Sequence, residues 1–221
     1  MTLRSSTFLL LALVAPIAHA ADKDVEDMLK ILRTNYSNAK SVRMDVVGVL
    51  DQLGDENPLT SKIWYRKSGA FRMETKGNTL GPNNTLLLIS DGKQTYMKNP
   101  SGQVTKEKFD PDKIATPVNL ETLCFWDWKR QLSTDKGANM HDSQLRLLKK
   151  ETWKDKDYMV LEEKAPKSKV FVRYYIDPKT KFIVRTAVYN LDNPAEMLQD
   201  YKVTTFQLNP KVDEKQFKFP S

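Results

Sequence analysis

The chain has 221 residues, with 35 Lys and Arg against 28 Asp and Glu, a net charge of +7 and a pI near 9.3. With 40% hydrophobic and 29% charged residues, it has the composition of one globular domain able to bury its own core. A single cysteine excludes an internal disulfide and any multi-cysteine metal site, and two histidines, His19 and His141, leave little for histidine chemistry; these absences argue against an enzyme.

Residues 1–20 read MTLRSSTFLLLALVAPIAHA. Arg4 precedes an apolar run from Phe8 to Val14, and Pro16 and Ala18-His19-Ala20 follow. The run is short for a bilayer span, and small residues stand where a signal peptidase cuts. An exported chain cleaved before Ala21 is therefore favoured over an uncleaved anchor. Cleavage takes away Arg4 and His19, lowering the charge from +7 to +6. Ala21, not cysteine, follows the cut, so no lipid would be attached there. The expected organisation is a signal peptide over 1–20 and one soluble domain over 21–221.

After the leader, Val25, Met28, Leu29, Leu32 and Tyr36 fall on one stripe of a helix. Asp22 and Asp24 suit its start by capping and by charge. The period then changes to two. Ser41–Gln52 alternates Val42, Met44 and Val46 with Arg43 and Asp45, as a half-buried strand does. Further strands are predicted at Ser61–Lys67, Ala70–Lys76, Leu86–Ser90, Lys93–Lys98 and Val104–Phe109, with turn residues between them. A second helix is predicted after Pro117, capped by Asn119 and carrying Leu120, Leu123, Cys124 and Trp128 at helical spacing. Strands return at Gln144–Trp153, Tyr158–Ala165, Lys169–Asp177, Phe182–Leu191 and Leu198–Leu208. Short connections make antiparallel pairing the natural outcome. The expected class is α+β: one domain of about eleven strands and two helices.

Little in this pattern carries covalent chemistry. Ser90-Asp91-Gly92-Lys93 lies between two strands and reads as a hairpin turn, not as a nucleophile or phosphate loop. His141 sits beside Asp142 in a polar stretch with no nucleophile placed near it. Cys124, between Leu123 and Phe125, reads as a small buried hydrophobe. The lysines are interleaved with acids, without the block of like charge that nucleic acid would call for. Attraction to anionic lipid surfaces, or plain solubility, fits the basic balance better.

A sheet of this size must curl. Apolar and flexible residues fall on its candidate inner face, among them Met44, Met73, Leu86, Leu88, Tyr65, Phe71 and Tyr174. Two apolar helices are available to cover that face. Alternation alone leaves open whether it is a filled core or a lined cavity.

Several segments, in order, resemble the LolA-like family of periplasmic lipoprotein carriers, the outer-membrane lipoprotein-sorting proteins. They are Ile31-Leu32-Arg33-Thr34-Asn35-Tyr36 with Ala39-Lys40-Ser41-Val42, Ile63-Trp64-Tyr65-Arg66-Lys67 and Phe71-Arg72-Met73. Leu87-Leu88-Ile89-Ser90-Asp91-Gly92-Lys93 is the most specific, followed by Asn99-Pro100 and Thr116-Pro117. Tyr174-Tyr175-Ile176-Asp177-Pro178-Lys179-Thr180 before Arg185, and the terminal Phe217-Lys218-Phe219-Pro220, complete the set.

The resemblance implies a curled antiparallel half-barrel closed by helices over an apolar cavity. It implies a monomeric periplasmic carrier of lipoprotein acyl chains or other lipids, with no cofactor and no catalysis. An inner-membrane exporter would load such a carrier and an outer-membrane acceptor would unload it. With strand parity it assigns Val46, Tyr65, Phe71, Met73, Leu88 and Tyr174 to the cavity and Leu29, Leu32, Phe125 and Trp126 to the lid. The family's latch arginine falls on Lys67, which lacks the planar five-donor fork. Arg66 points to the other face by alternation, and a solvated strand-end lysine is an equally open reading of Lys67. A cell-envelope sensor or regulatory module of the same fold, recognising lipoproteins or peptides, is the competing function.

Overall fold

Alternating residues give most of the strands one apolar face, and a sheet is stable only when those faces lie on the same side. The computed structural model describes residues 23–50, 57–78, 80, 83–110 and 143–219, except the side chain of residue 149. The expected leader and the segment carrying Cys124, Phe125, Trp126 and His141 lie outside the described residues.

Helix α1 (Lys23–Asn38) leads into β1 (Ser41–Leu50), β2 (Leu59–Arg66), β3 (Ala70–Lys76), β4 (Thr85–Asp91), β5 (Gln94–Lys98) and β6 (Val104–Lys108). The second run is β7 (Gln144–Trp153), β8 (Lys156–Lys164), β9 (Val170–Ile176), β10 (Ile183–Asn190) and β11 (Met197–Leu208). All eleven strands form one antiparallel sheet in the order β6-β5-β4-β3-β2-β1-β11-β10-β9-β8-β7. Two meanders are thus joined where β1 pairs with β11. Among the described residues the sheet is open, with β6 and β7 at its edges. β6, the sequence VTKEK, is short and charged, which discourages pairing with another chain.

Curvature has a local cause. Register shifts interrupt the pairing at Asp45/Val46, Val188/Tyr189, Ile183/Arg185 and Leu148/Glu151. Each bulge bends its strand and adds twist. The concave face collects Val42, Met44 and Val46 of β1, Ile63 and Tyr65 of β2, Phe71 and Met73 of β3, and Leu86 and Leu88 of β4. Leu161, Tyr174, Ile176 and Tyr201 continue it across β8, β9 and β11. α1 lays Val25, Met28, Leu29, Leu32 and Tyr36 on this same core. Asp24 and Glu26 in its first turn complement the helix dipole.

The convex face is not bare. Val212 and Phe217, on and beside a short 3-10 turn at Glu214–Phe217, pack on Ala70 with Trp64 alongside. Arg66 holds that segment through Val212 O, an ion pair to Glu214 at 3.4 Å and a stack over Phe217 at 5.1 Å. Farther along, Arg185 pairs with Asp200 through Nε at 2.7 Å and Nη2 at 3.2 Å, both side chains buried. The guanidinium lies 4.5 Å from the Tyr175 ring centre and 4.6 Å from that of Trp153.

Candidate functional site

The candidate site is the concave face under α1. All six side chains assigned to the cavity from sequence are on it and buried: Val46, Tyr65, Phe71, Met73, Leu88 and Tyr174. Register brings four of them together, since Tyr65 pairs with Phe71 and Met73 with Leu88. Val46 lies in the central strand β1, and Tyr174 in β9, on the other meander. Phe71 and Met73 are 0% exposed, so no water-sized void adjoins either side chain.

Polar atoms on the face are mostly paired among themselves. Ser61 and Thr75 share a hydrogen bond of 2.8 Å, and Ser90 Oγ accepts from the Gly92 amide at 3.0 Å. Burial pushes the phenols of Tyr36 and Tyr65 up from their ordinary value, which keeps both neutral. An apolar guest would therefore meet hydrocarbon and satisfied hydroxyls over most of this surface.

The C-terminal end of the cover is fastened to the sheet. Leu29 and Leu32, assigned to the lid from sequence, face the sheet from α1, and the helix lies against β7. At its C-terminal end Asn35 Nδ2 donates to Thr180 O and Lys181 O, each at 3.3 Å. The Ile183 amide donates to Tyr36 Oη at 3.3 Å, and the Tyr36 ring meets Phe182 at 5.1 Å. All these partners belong to the turn between β9 and β10 or to the first residue of β10. Asp177 builds that turn by accepting from the amides of Lys179 at 2.8 Å and Thr180 at 2.9 Å, and it pairs with Lys156 Nζ at 2.6 Å. Burial pushes the Asp177 carboxyl up, but the hydrogen bonds of Lys156, Thr180 and Lys179 outweigh it and hold the group down at about 2. The Asp-Pro-Lys-Thr segment that carried part of the resemblance is thus the mooring of the helix.

The other sequence candidates separate from the site. Lys67 is exposed in the turn after β2; its amide donates to Lys40 O at 2.9 Å, and its ammonium makes no ion pair among the described residues. Asp91 Oδ1 caps its turn by accepting from Lys93 and Gln94 at 2.8 Å, and Gly92 has a φ of +91°. Ser90-Asp91-Gly92-Lys93 is a hairpin turn, as its sequence indicated. Among the described residues no three His, Cys, Asp or Glu side chains are grouped to hold a metal ion, and no helix is long and apolar enough to cross a membrane. Sequence reasoning passed over Glu163, buried on the concave side of β8.

No family model matches the sequence, and no curated protein matches it either. Solved structures do match in fold. An uncharacterised conserved protein from Thermus thermophilus superposes with a TM-score of 0.56 at 14% identity, over 90% of this chain and 95% of that one. MucB superposes with a TM-score of 0.56 at 14% identity, over 91% of this chain and 64% of that one. In the complex of Pseudomonas aeruginosa MucA and MucB the values are 0.55 and 14%, over 89% and 61%. The chain therefore spans less than two thirds of those two chains, and the likeness is one of fold. That fold is the curled, open antiparallel half-barrel with a covering helix that the LolA-like resemblance implies.

Proposed function

We propose that this protein is an exported carrier that takes acyl chains of lipoproteins or other lipids onto its concave face for passage across the periplasm. The observation that carries the reading is the cover: an apolar sheet face spanning both meanders, capped in part by one amphipathic helix whose C-terminal end is moored to the β9–β10 turn by polar contacts. Moving an acyl chain through water costs about 0.8 kcal/mol per exposed CH₂, and a dry protein face removes that cost. In this reading Val46, Tyr65, Phe71, Met73, Leu88 and Tyr174 contact the guest once α1 has moved. Leu29 and Leu32 are the residues it displaces, and Phe125 and Trp126 belong to the same lid. Residues 1–20 direct export and 21–221 form the carrier, working without a cofactor or a catalytic step. Donor and acceptor would be membrane proteins on either side of the periplasm.

Native mass spectrometry of the chain purified from periplasm tests this, together with displacement of a fluorescent fatty acid. Co-purifying lipid or lipoprotein is expected; an empty protein that takes up no probe refutes it. The structural likeness to MucB, which has been solved with MucA, favours one second reading, a regulatory module of the cell envelope. Capture of an envelope regulator in place of a lipoprotein, by the chain cross-linked in cells, would select it.

A further inference from the structure

Among the described residues, the buried concave face carries one charged side chain, and it has no counter-ion there. Glu163 sits in β8 opposite Leu145 of β7 and Val172 of β9, 8% exposed. Its Oε2 accepts from Tyr174 Oη at 2.5 Å and its Oε1 from Ser143 Oγ at 2.7 Å. Both donors are neutral hydroxyls, and each carboxylate oxygen retains a further acceptor site. The neighbouring guanidinium groups, Arg146 and Arg173, both pair with Glu162 on the convex side, at 2.8 and 2.9 Å. Buried carboxylates are ordinarily paired, and one without a cation is destabilising.

The geometry points to a guest that supplies the missing cation: an amphiphile whose hydrocarbon lies on the concave face and whose ammonium head meets Glu163. This rests on the lipid-binding reading above and sharpens it to a class of lipid. Tyr174 and Ser143 hold the carboxylate in place, and Leu145, Leu161 and Val172 beside it receive the first methylenes of the chain. The chain's net charge of +7 would by itself draw anionic amphiphiles, so a preference for an amine would run against the overall field and must come from a local group.

The test measures how well dodecylamine, dodecanol and dodecanoate displace the neutral fluorescent probe N-phenylnaphthylamine from the full chain. Dodecylamine is expected to compete at a concentration about tenfold or more below dodecanol, the factor expected of a charge-assisted hydrogen bond. In Glu163→Gln the ratio of amine to alcohol should fall to about one. Glu162→Gln, which removes the same charge from the other face, should keep it. Equal competition by amine and alcohol in the unmodified chain overturns the assignment, as does a preference that survives Glu163→Gln. A probe that never binds, or that none of the three displaces, defeats the lipid-binding reading and this inference with it. Thermal unfolding supplies a second readout. Removing an uncompensated buried charge should leave Tm equal or higher, whereas a fall of several degrees would make Glu163 a structural acceptor for Tyr174 and refute its role in binding.

Discussion

If α1 must leave the sheet for a guest to enter, weakening its packing should harm stability and help uptake at once. Leu32 is the place to test this, because it is 0% exposed and lies in the middle of the buried stripe of α1. Leu32→Ala removes a side chain whose loss from a core costs about 2–5 kcal/mol. At about 3 kcal/mol, Tm should fall by roughly 6–12 °C for a domain of this size. That cost falls on the closed state, where the leucine is packed, and not on an open state, where it is wet. The ratio of open to closed would then rise by about a hundredfold. Uptake limited by opening should accelerate in proportion, by at least about tenfold in stopped-flow fluorescence with a fatty-acid probe. Val160→Ala is the control: Val160 is 0% exposed but packs in the convex cluster with Tyr158, Tyr175 and Ala187. It should lower Tm without changing the uptake rate. A Leu32→Ala protein that loses stability yet takes up probe no faster than Val160→Ala would refute a moving α1.

Three further outcomes follow from the same geometry. A Cβ on Gly48 would lie 2.6 Å from Tyr201 Cδ1 and 2.8 Å from Cε1, so Gly48→Ala should push the buried ring aside at a cost of about 1–2 kcal/mol in urea unfolding; unchanged or greater stability would contradict the contact. Arg185→Met leaves Asp200 with Lys202 at 2.6 Å as its remaining ion pair, and should destabilise by about 2–3 kcal/mol while sparing probe affinity, since the pair is on the convex face. For Asp177, a carboxyl held at about 2 against an ordinary 3.8 contributes stability fully present above pH about 4 and lost as pH falls through about 2; with Lys156 half exposed, the gain is discounted to about 1 kcal/mol, and Asp177→Asn should flatten urea-measured stability over that window.

Most strands were legible because their runs alternate cleanly enough for burial to select one face, whereas β4 reads as a continuous apolar run and β6 as a weak, charged one. β1, β3 and β7 begin where the period of two begins, and α1 carries the buried stripe that its apolar spacing marks. β2 begins two residues earlier than alternation suggested, at Leu59, because Leu59 pairs with Gly48 and fills the end of the core. The convex layer was not legible. Tyr174 and Tyr175 are adjacent and both buried, one on each face, whereas a half-buried strand assigns only one of two neighbours to a core. Arg185 and Asp200 meet diagonally across β10 and β11, and their register depends on bulges that no residue pattern announces. Glu163 could have been found: counting two from Leu161 puts it on the concave side. Its lack of a cation among the described residues needed the positions of Arg146 and Arg173, which only the fold supplies.

The same balance bears on how the proposed carrier can close without a guest and still open for one. Val25, Met28, Leu29, Leu32 and Tyr36 are all buried against the core, and at about 1.5–3 kcal/mol for each fully buried side chain their removal from the face would forfeit on the order of 10 kcal/mol. An acyl chain regains about 0.8 kcal/mol per buried CH₂, so roughly a dozen methylenes restore what the helix gives up. Guest and helix are then near-equal competitors for one surface, and small terms decide between them. The moorings at Asn35 and Tyr36 favour the helix. A cation reaching Glu163 would favour the guest. A short or uncharged amphiphile meets the first term without the second, and for that reason chain length and head-group charge should act together on affinity in this protein and not as independent preferences.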